Sequence, residues 1–324
     1  MNKKIVEIPL TTNQKNEQER ERMRIYQILA ESKESLNRKK KKTVTVKIIG
    51  VKYNENATTP EIRYGAECLF EDWHIFVPAS EMGFEADFAH IKAEDRERMY
   101  RSYINKMAMA DIDVVIYGID TANKIAVASR KCAMEDKLER YYFKSDKNGE
   151  SLMERTFRQG KFPEARIITV TKSTVRVEVF GYVCSVIAKN IEHRYIDPSQ
   201  IKNLIHIGDV VPVKITSLSI DKENRKIDME VSIKDAKPNI QAINMKKFTV
   251  GSVLTGRVSG INNGYFVQIG TLADGIDVFC KRVKCLEMPQ KGDLVSVTIK
   301  IKDDENARVF GVIEDIKQRA SMAA

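Results

Sequence analysis

Three times along this chain an apolar run ends in an aspartate, a short polar turn, a basic residue and a second apolar run. The segments are ADIDVVIYGIDTANKIAVASRK (residues 110–131), IHIGDVVPVKITSLSIDKENRKIDMEVSI (205–233) and MPQKGDLVSVTIKIKDDENARVFGVI (288–313). Within them Asp120/Lys124, Asp221/Arg225 and Asp304/Arg308 share a spacing of four. A recurring supersecondary unit of this kind constrains the whole fold, because each copy must build its core from the same few strands. A fainter echo, FEDWHIFVPASEM from Phe70 against FGYVCSVIAKNI from Phe180, lies upstream of the hairpin in the first two copies.

The texture between these landmarks is short and β-rich. TVTVKIIG (43–50) alternates as a half-buried strand should, and similar runs lie at 165–179 and 253–258, separated by Asn- and Gly-rich turns. Four stretches read as helix instead: 14–37, 94–110 with Met99, Tyr103 and Met107 spaced by four, 132–142 and 152–157. The expected organisation is a basic, helical N-terminal arm (1–42) and a first barrel with a helical insertion after Met82 (43–133). A helical linker (134–159), a second barrel (160–237), a third barrel (246–316) and a tail (317–324) follow. The fold class is mainly β with helical insertions, as three tandem five-stranded barrels.

Charge narrows the partners. Of the formal +9, residues 1–42 carry +6, leaving +3 for the rest of the chain. The arm ends in Arg38, Lys39, Lys40, Lys41 and Lys42, a run able to track phosphates, with Arg38, Lys39 and Lys40 as candidate contacts. Ile25, Ile28, Leu29 and Leu36 form a narrow apolar stripe on the same helix, fit to dock on its own domain or on a partner. Five scattered cysteines, with no CxxC pair and no nearby histidine, argue against a zinc site and for a reducing compartment. No apolar run is long enough to cross a membrane and the N-terminus lacks a signal-peptide core, so a cytoplasmic protein is expected. Phosphate-loop, GxSxG, HExxH and dinucleotide fingerprints are absent, and no catalytic residue, metal or cofactor is expected.

The third unit resembles the RNA-binding repeat of ribosomal protein S-one, through VGSVLTGRVSG, NGYFVQIG, ADGIDVF, KGDLVSVTIKI and DDENAR. The second unit resembles it in its last half, and the first more loosely. The resemblance implies a five-stranded antiparallel barrel of the oligonucleotide-binding type, with bases stacking across strands two and three. By strand alternation Val267 and Ile269 point inward, leaving Phe266 and Gln268 outside, with Phe266 at the family's stacking position. In VRVEVFG, Val175, Val177 and Val179 go inward, leaving Arg176, Glu178 and Phe180 outside, and Arg176 replaces the aromatic. Asn263 stands where the family often has a further aromatic. The family's strand-three histidine falls on Val278 in the third unit, Cys184 in the second, and His74 or Pro78 in the first, according to register. Lys124, Arg225 and Arg308 carry over from the closing hairpins.

The reading is a non-catalytic single-stranded RNA-binding protein, its partner the ribosome or an mRNA. The same barrels could instead hold protein partners in a structural or assembly role of phage or mobile-element type, or bind single-stranded DNA.

Overall fold

The computed structural model describes residues 12–84, 91–197, 200–271 and 274–320. The start of the arm, part of the insertion after Met82 and the end of the tail lie outside the described residues. Two compact units divide the chain, residues 1–141 with 180–182, and residues 142–179 with 183–324. No described helix is long and apolar enough to cross a membrane.

In the first barrel β1 (Val44–Tyr53), β2 (Tyr64–Phe70), β3 (Trp73–Pro78), β4 (Asp111–Asp120) and β5 (Ile125–Ser129) close in the order β1-β2-β3-β5-β4. The β3–β5 pair is parallel and the others are antiparallel. Chain order continues with β6 (Glu164–Val170), β7 (Thr174–Val179), β8 (Tyr182–Ile187), β9 (Val210–Pro212), β10 (Lys214–Asp221) and β11 (Lys226–Ser232). It ends with β12 (Val253–Ile261), β13 (Tyr265–Ile269), β14 (Ile276–Val283), β15 (Leu294–Asp303) and β16 (Arg308–Gln318), which close as β12-β13-β14-β16-β15. Both closures have the strand order of the oligonucleotide-binding barrel.

The middle set of strands departs from the closed second barrel expected over 160–237. It forms a four-stranded sheet, β8-β7-β6-β9, and a separate β10-β11 hairpin. In the closed barrels one ten-residue strand pairs with the first strand and then with the last. Here Pro212, which has no N–H to donate, sits where that strand divides into β9 and β10. Val213 N–H donates to the Pro163 carbonyl (2.9 Å), and Ile233 N–H to the Asn190 carbonyl (2.9 Å).

The registers of the three sets coincide. The first strand slips by one residue between Ile48 and Gly50, between Ile167 and Thr169, and between Val258 and Gly260. The residues opposite the far side of each slip are Glu67, Arg176 and Phe266. The closing turns coincide too. Asp120, Asp221 and Asp303 each accept from the backbone N–H and side-chain amide of the asparagine three residues on, Asn123, Asn224 and Asn306. The next residue, Lys124, Arg225 or Ala307, is left-handed, with φ of 52°, 53° and 51°. The repeated aspartate of the third unit is therefore Asp303, not Asp304, and Ala307, not Arg308, stands where Lys124 and Arg225 do.

Helix α1 (Thr12–Glu34) lays its stripe on the first barrel: Ile25 and Leu29 are buried, and Ser32 Oγ accepts from Ile116 N–H (3.1 Å) while donating to the Lys42 carbonyl (2.7 Å). Lys41 N–H donates to Asp136 (3.1 Å). After α2 (Pro60–Arg63), helix α3 (Ala93–Lys106) buries Tyr100 and Ile104, with Met107 just beyond its end, so its apolar face is centred one residue from the expected stripe. Helices α4 (Arg130–Leu138) and α5 (Leu152–Arg158) occupy the expected linker, the latter opened by a Ser151/Glu154 capping box.

Candidate nucleic-acid interface

The outward face of the third barrel gathers what a base-binding surface needs. Val267, Ile269, Ile276, Val278 and Cys280 fill the core, so the pleat turns Phe266 and Phe279 out together. These two are directly opposite in the β13–β14 ladder, and Phe279 is opposite Phe310 in the parallel β14–β16 ladder. The rings make a continuous aromatic row: Phe266 to Phe279 at 4.9 Å and Phe279 to Phe310 at 6.3 Å between centroids. The row forms one wall of a cleft of about 640 Å³ whose other wall is the segment after β8, from Ala188 to Ile196.

That segment is anchored on the barrel. Arg194 Nε and one terminal nitrogen donate to Asp277 Oδ1 (3.1 and 2.9 Å), Tyr195 N–H donates to Oδ2 (2.7 Å), and Arg194 also reaches the Thr271 carbonyl (2.8 Å). The two side chains are only 8% and 10% exposed. Burial pushes the Asp277 carboxyl up, and the Arg194 charge and the Tyr195 amide pull it back only in part. Gln241, on α6 (Ile240–Asn244), pairs with the Asp277 backbone on both sides (2.9 Å each). Lys291 pairs with Asp197. The result lays the Tyr195 ring flat on Phe266, centroids 3.8 Å apart and planes 8° from parallel.

Cations face the cleft. Lys189, Lys234 and Arg308 line it, and among the described residues none of them makes an ion pair. Its carboxylates are already neutralised, Asp277 by Arg194 and Glu192 by Lys237 (3.1 Å). Asn239, Asn262 and Asn306 add amides to the rim.

The other predicted contacts do not converge here. His74 Nδ1 lies 3.1 Å from Glu67 on the first barrel, and Lys124 pairs with Asp72. His74 falls in register with Asp277, and Val278 is buried in the core at 0% exposure, so His74 and Val278 do not hold equivalent places. Arg176 holds the register of Phe266 and is half-buried; its neighbour Glu178, expected outside, is buried. Arg225 lies over the Phe143 ring at 4.4 Å. Gln268 is half-buried opposite Asp277. Arg38 pairs with Glu34 (3.4 Å), while Lys39 and Lys40 are exposed. Phe279, Phe310, Tyr195 and Arg194 were missed. The alternation of IDVFCKR put Phe279 outward in the sequence, whereas Tyr195 sits in a segment without periodicity.

No group of three or more His, Cys, Asp or Glu among the described residues could hold a metal. Burial raises the Cys68 and Cys280 thiols to about 12, which leaves them unreactive at neutral pH.

No family profile matches the chain. A curated 4-hydroxy-3-methylbut-2-enyl diphosphate reductase of Clostridium acetobutylicum is 23% identical over 257 residues, 76% of this chain. The chain spans 36% of that protein's length. Among solved structures, a multidomain protein with nucleic acid binding domains from Streptococcus pneumoniae is 12% identical over 86% of this chain and 75% of its own, with a TM-score of 0.18. The HINa domain of Ifi202, solved with 20-base-pair double-stranded DNA, is 11% identical over 86% of this chain and 97% of its own, with a TM-score of 0.19. At such scores these likenesses carry no argument, and the fold rests on the strand order and registers above.

Proposed function

We propose that this chain is a non-catalytic, single-stranded nucleic-acid-binding protein of three S-one type repeats, with RNA its ligand and the third repeat its principal contact. The observation that carries the reading is the Phe266–Phe279–Phe310 row beside Lys189, Lys234 and Arg308, on the strand-two and strand-three face that oligonucleotide-binding barrels use. Aromatic rings accept any base, and unpaired cations meet its phosphate. The first repeat contributes less: Glu67, paired with Lys52 (3.4 Å), stands where the third has Phe266 and offers no ring for a base to stack on. That face suits a protein contact better than a strand.

The test is fluorescence anisotropy with single-stranded RNA, matched DNA and duplex at two salt concentrations. Tight, salt-sensitive binding to the RNA is expected. Phe279→Ala should weaken it by roughly ten- to a hundredfold, the value of one stacked base. Absence of binding at low salt, or an unchanged affinity in Phe279→Ala, refutes the proposal.

A further inference from the structure

An open aromatic platform is what the third repeat's face offers by strand alternation, but the chain has closed part of it. Tyr195 occupies Phe266 as a stacked base would, at 3.8 Å and 8°. Space for it is built in, since a Cβ on Gly260 would lie 2.1 Å from the Tyr195 ring. Its hold is the buried Arg194–Asp277 pair and the Tyr195 amide bond, with Lys291–Asp197 beyond. A contact anchored by a shielded ion pair is costly to undo, so the segment is a wall of the site.

Resting on the nucleic-acid reading of this face, we infer that the cleft is a pocket for one nucleotide unit of a single strand and not a track for a continuous run of stacked bases. Phe279 and Phe310 supply the base platform that Tyr195 leaves open, Asn239 and Asn262 face the base edge, and Lys189, Lys234 and Arg308 meet the phosphate. The volume, about 640 Å³, lies in the range of pockets for compact ligands. Tyr195 sets the length of strand admitted: with it in place, stacking cannot extend across β13.

The test compares a 5′-phosphorylated uridine trinucleotide with a 5′-phosphorylated uridine dodecanucleotide on the full chain. In the wild type the two should bind within about threefold of each other, and Phe279→Ala should weaken both. Tyr195→Ala uncovers Phe266, so the dodecamer should gain about tenfold over the trinucleotide, one more stacked base. Gly260→Ala, whose methyl displaces the same ring, should move the ratio the same way if the Tyr195 variant folds poorly. The inference is overturned if Tyr195→Ala weakens both ligands, or if the wild type binds the dodecamer alone. If neither oligomer binds the wild type or any variant, the nucleic-acid reading itself fails.

Discussion

Replacing Arg194 by alanine takes from Asp277 the guanidinium that faces it and leaves the carboxylate, among the described residues, one hydrogen-bond donor, the Tyr195 amide. The pair is shielded, at 8% and 10% exposure, so neither charge is well solvated when its partner goes. Breaking a buried pair costs about 3–5 kcal/mol, whereas an exposed one such as Glu192–Lys237 contributes about 0–1 kcal/mol. The residual exposure lets some water reach Asp277, so the expected loss is near the lower bound, about 3 kcal/mol. Urea unfolding of the wild type, Arg194→Ala and Lys237→Ala measures the contrast. Hydrogen exchange at the Tyr195 amide reports the local opening. The pH dependence has a definite sign. Burial already raises the Asp277 carboxyl above its unfolded value of about 3.9, and removing Arg194 raises it further. The deficit is therefore full at neutral pH and shrinks as pH falls through the folded value toward about 4. A loss under about 1 kcal/mol, or a deficit that grows on acidification, refutes the reasoning.

Asp293 works in the opposite sense. Burial pushes its carboxyl up, but the Ala320 and Gln290 amides and Arg319 outweigh that and hold it below the usual range. Its contribution is present above about pH 4 and lost as pH falls through the depressed folded value. The unfolding midpoints of wild type and Asp293→Asn should therefore differ above that pH and converge below it. Ala307 holds φ of 51° in the closing turn, a conformation that costs a Cβ-bearing residue roughly 1–2 kcal/mol. Ala307→Gly removes that strain and returns part of it as unfolded-chain entropy, so Tm should rise modestly; a fall refutes the assignment of strain.

The fold was legible where side chains obey a period. Val175, Val177, Val179, Val267 and Ile269 all point inward as alternation required, because a strand with one buried face has one register. The hairpins were legible because a left-handed turn position demands particular neighbours, though the asparagine that each aspartate holds was overlooked. That omission put the third turn on Asp304 and not Asp303. The interrupted closure of the middle sheets was marked by Pro212 but read as one continuous strand. Least legible was the site itself. Tyr195 and Arg194 act through contacts with residues far along the chain, Phe266 and Asp277, and no local pattern in EHRYIDP announces a partner.

The same geometry changes how the basic arm must be tested. Cutting away residues 1–42 removes Ile25 and Leu29 from the face of the first barrel and Ser32 from Ile116 N–H. Each fully buried apolar side chain is worth about 1.5–3 kcal/mol, so a loss of binding on truncation reports folding as much as charge. Lys39 and Lys40 are exposed, and Lys39→Ala with Lys40→Ala removes charge without touching that packing. Single-strand affinity falls with salt at a slope of about 0.7 per neutralised phosphate, so a 5′-phosphorylated trinucleotide is bounded near −2. Arg308→Ala should flatten that slope by about 0.7, since Arg308 is one of the three cleft cations that make no ion pair among the described residues. The trinucleotide's three phosphates are matched by those three cleft cations, so the double lysine variant should leave its slope unchanged. Equal flattening of the trinucleotide slope by both variants would place its phosphates along the arm and take the cleft out of the mechanism.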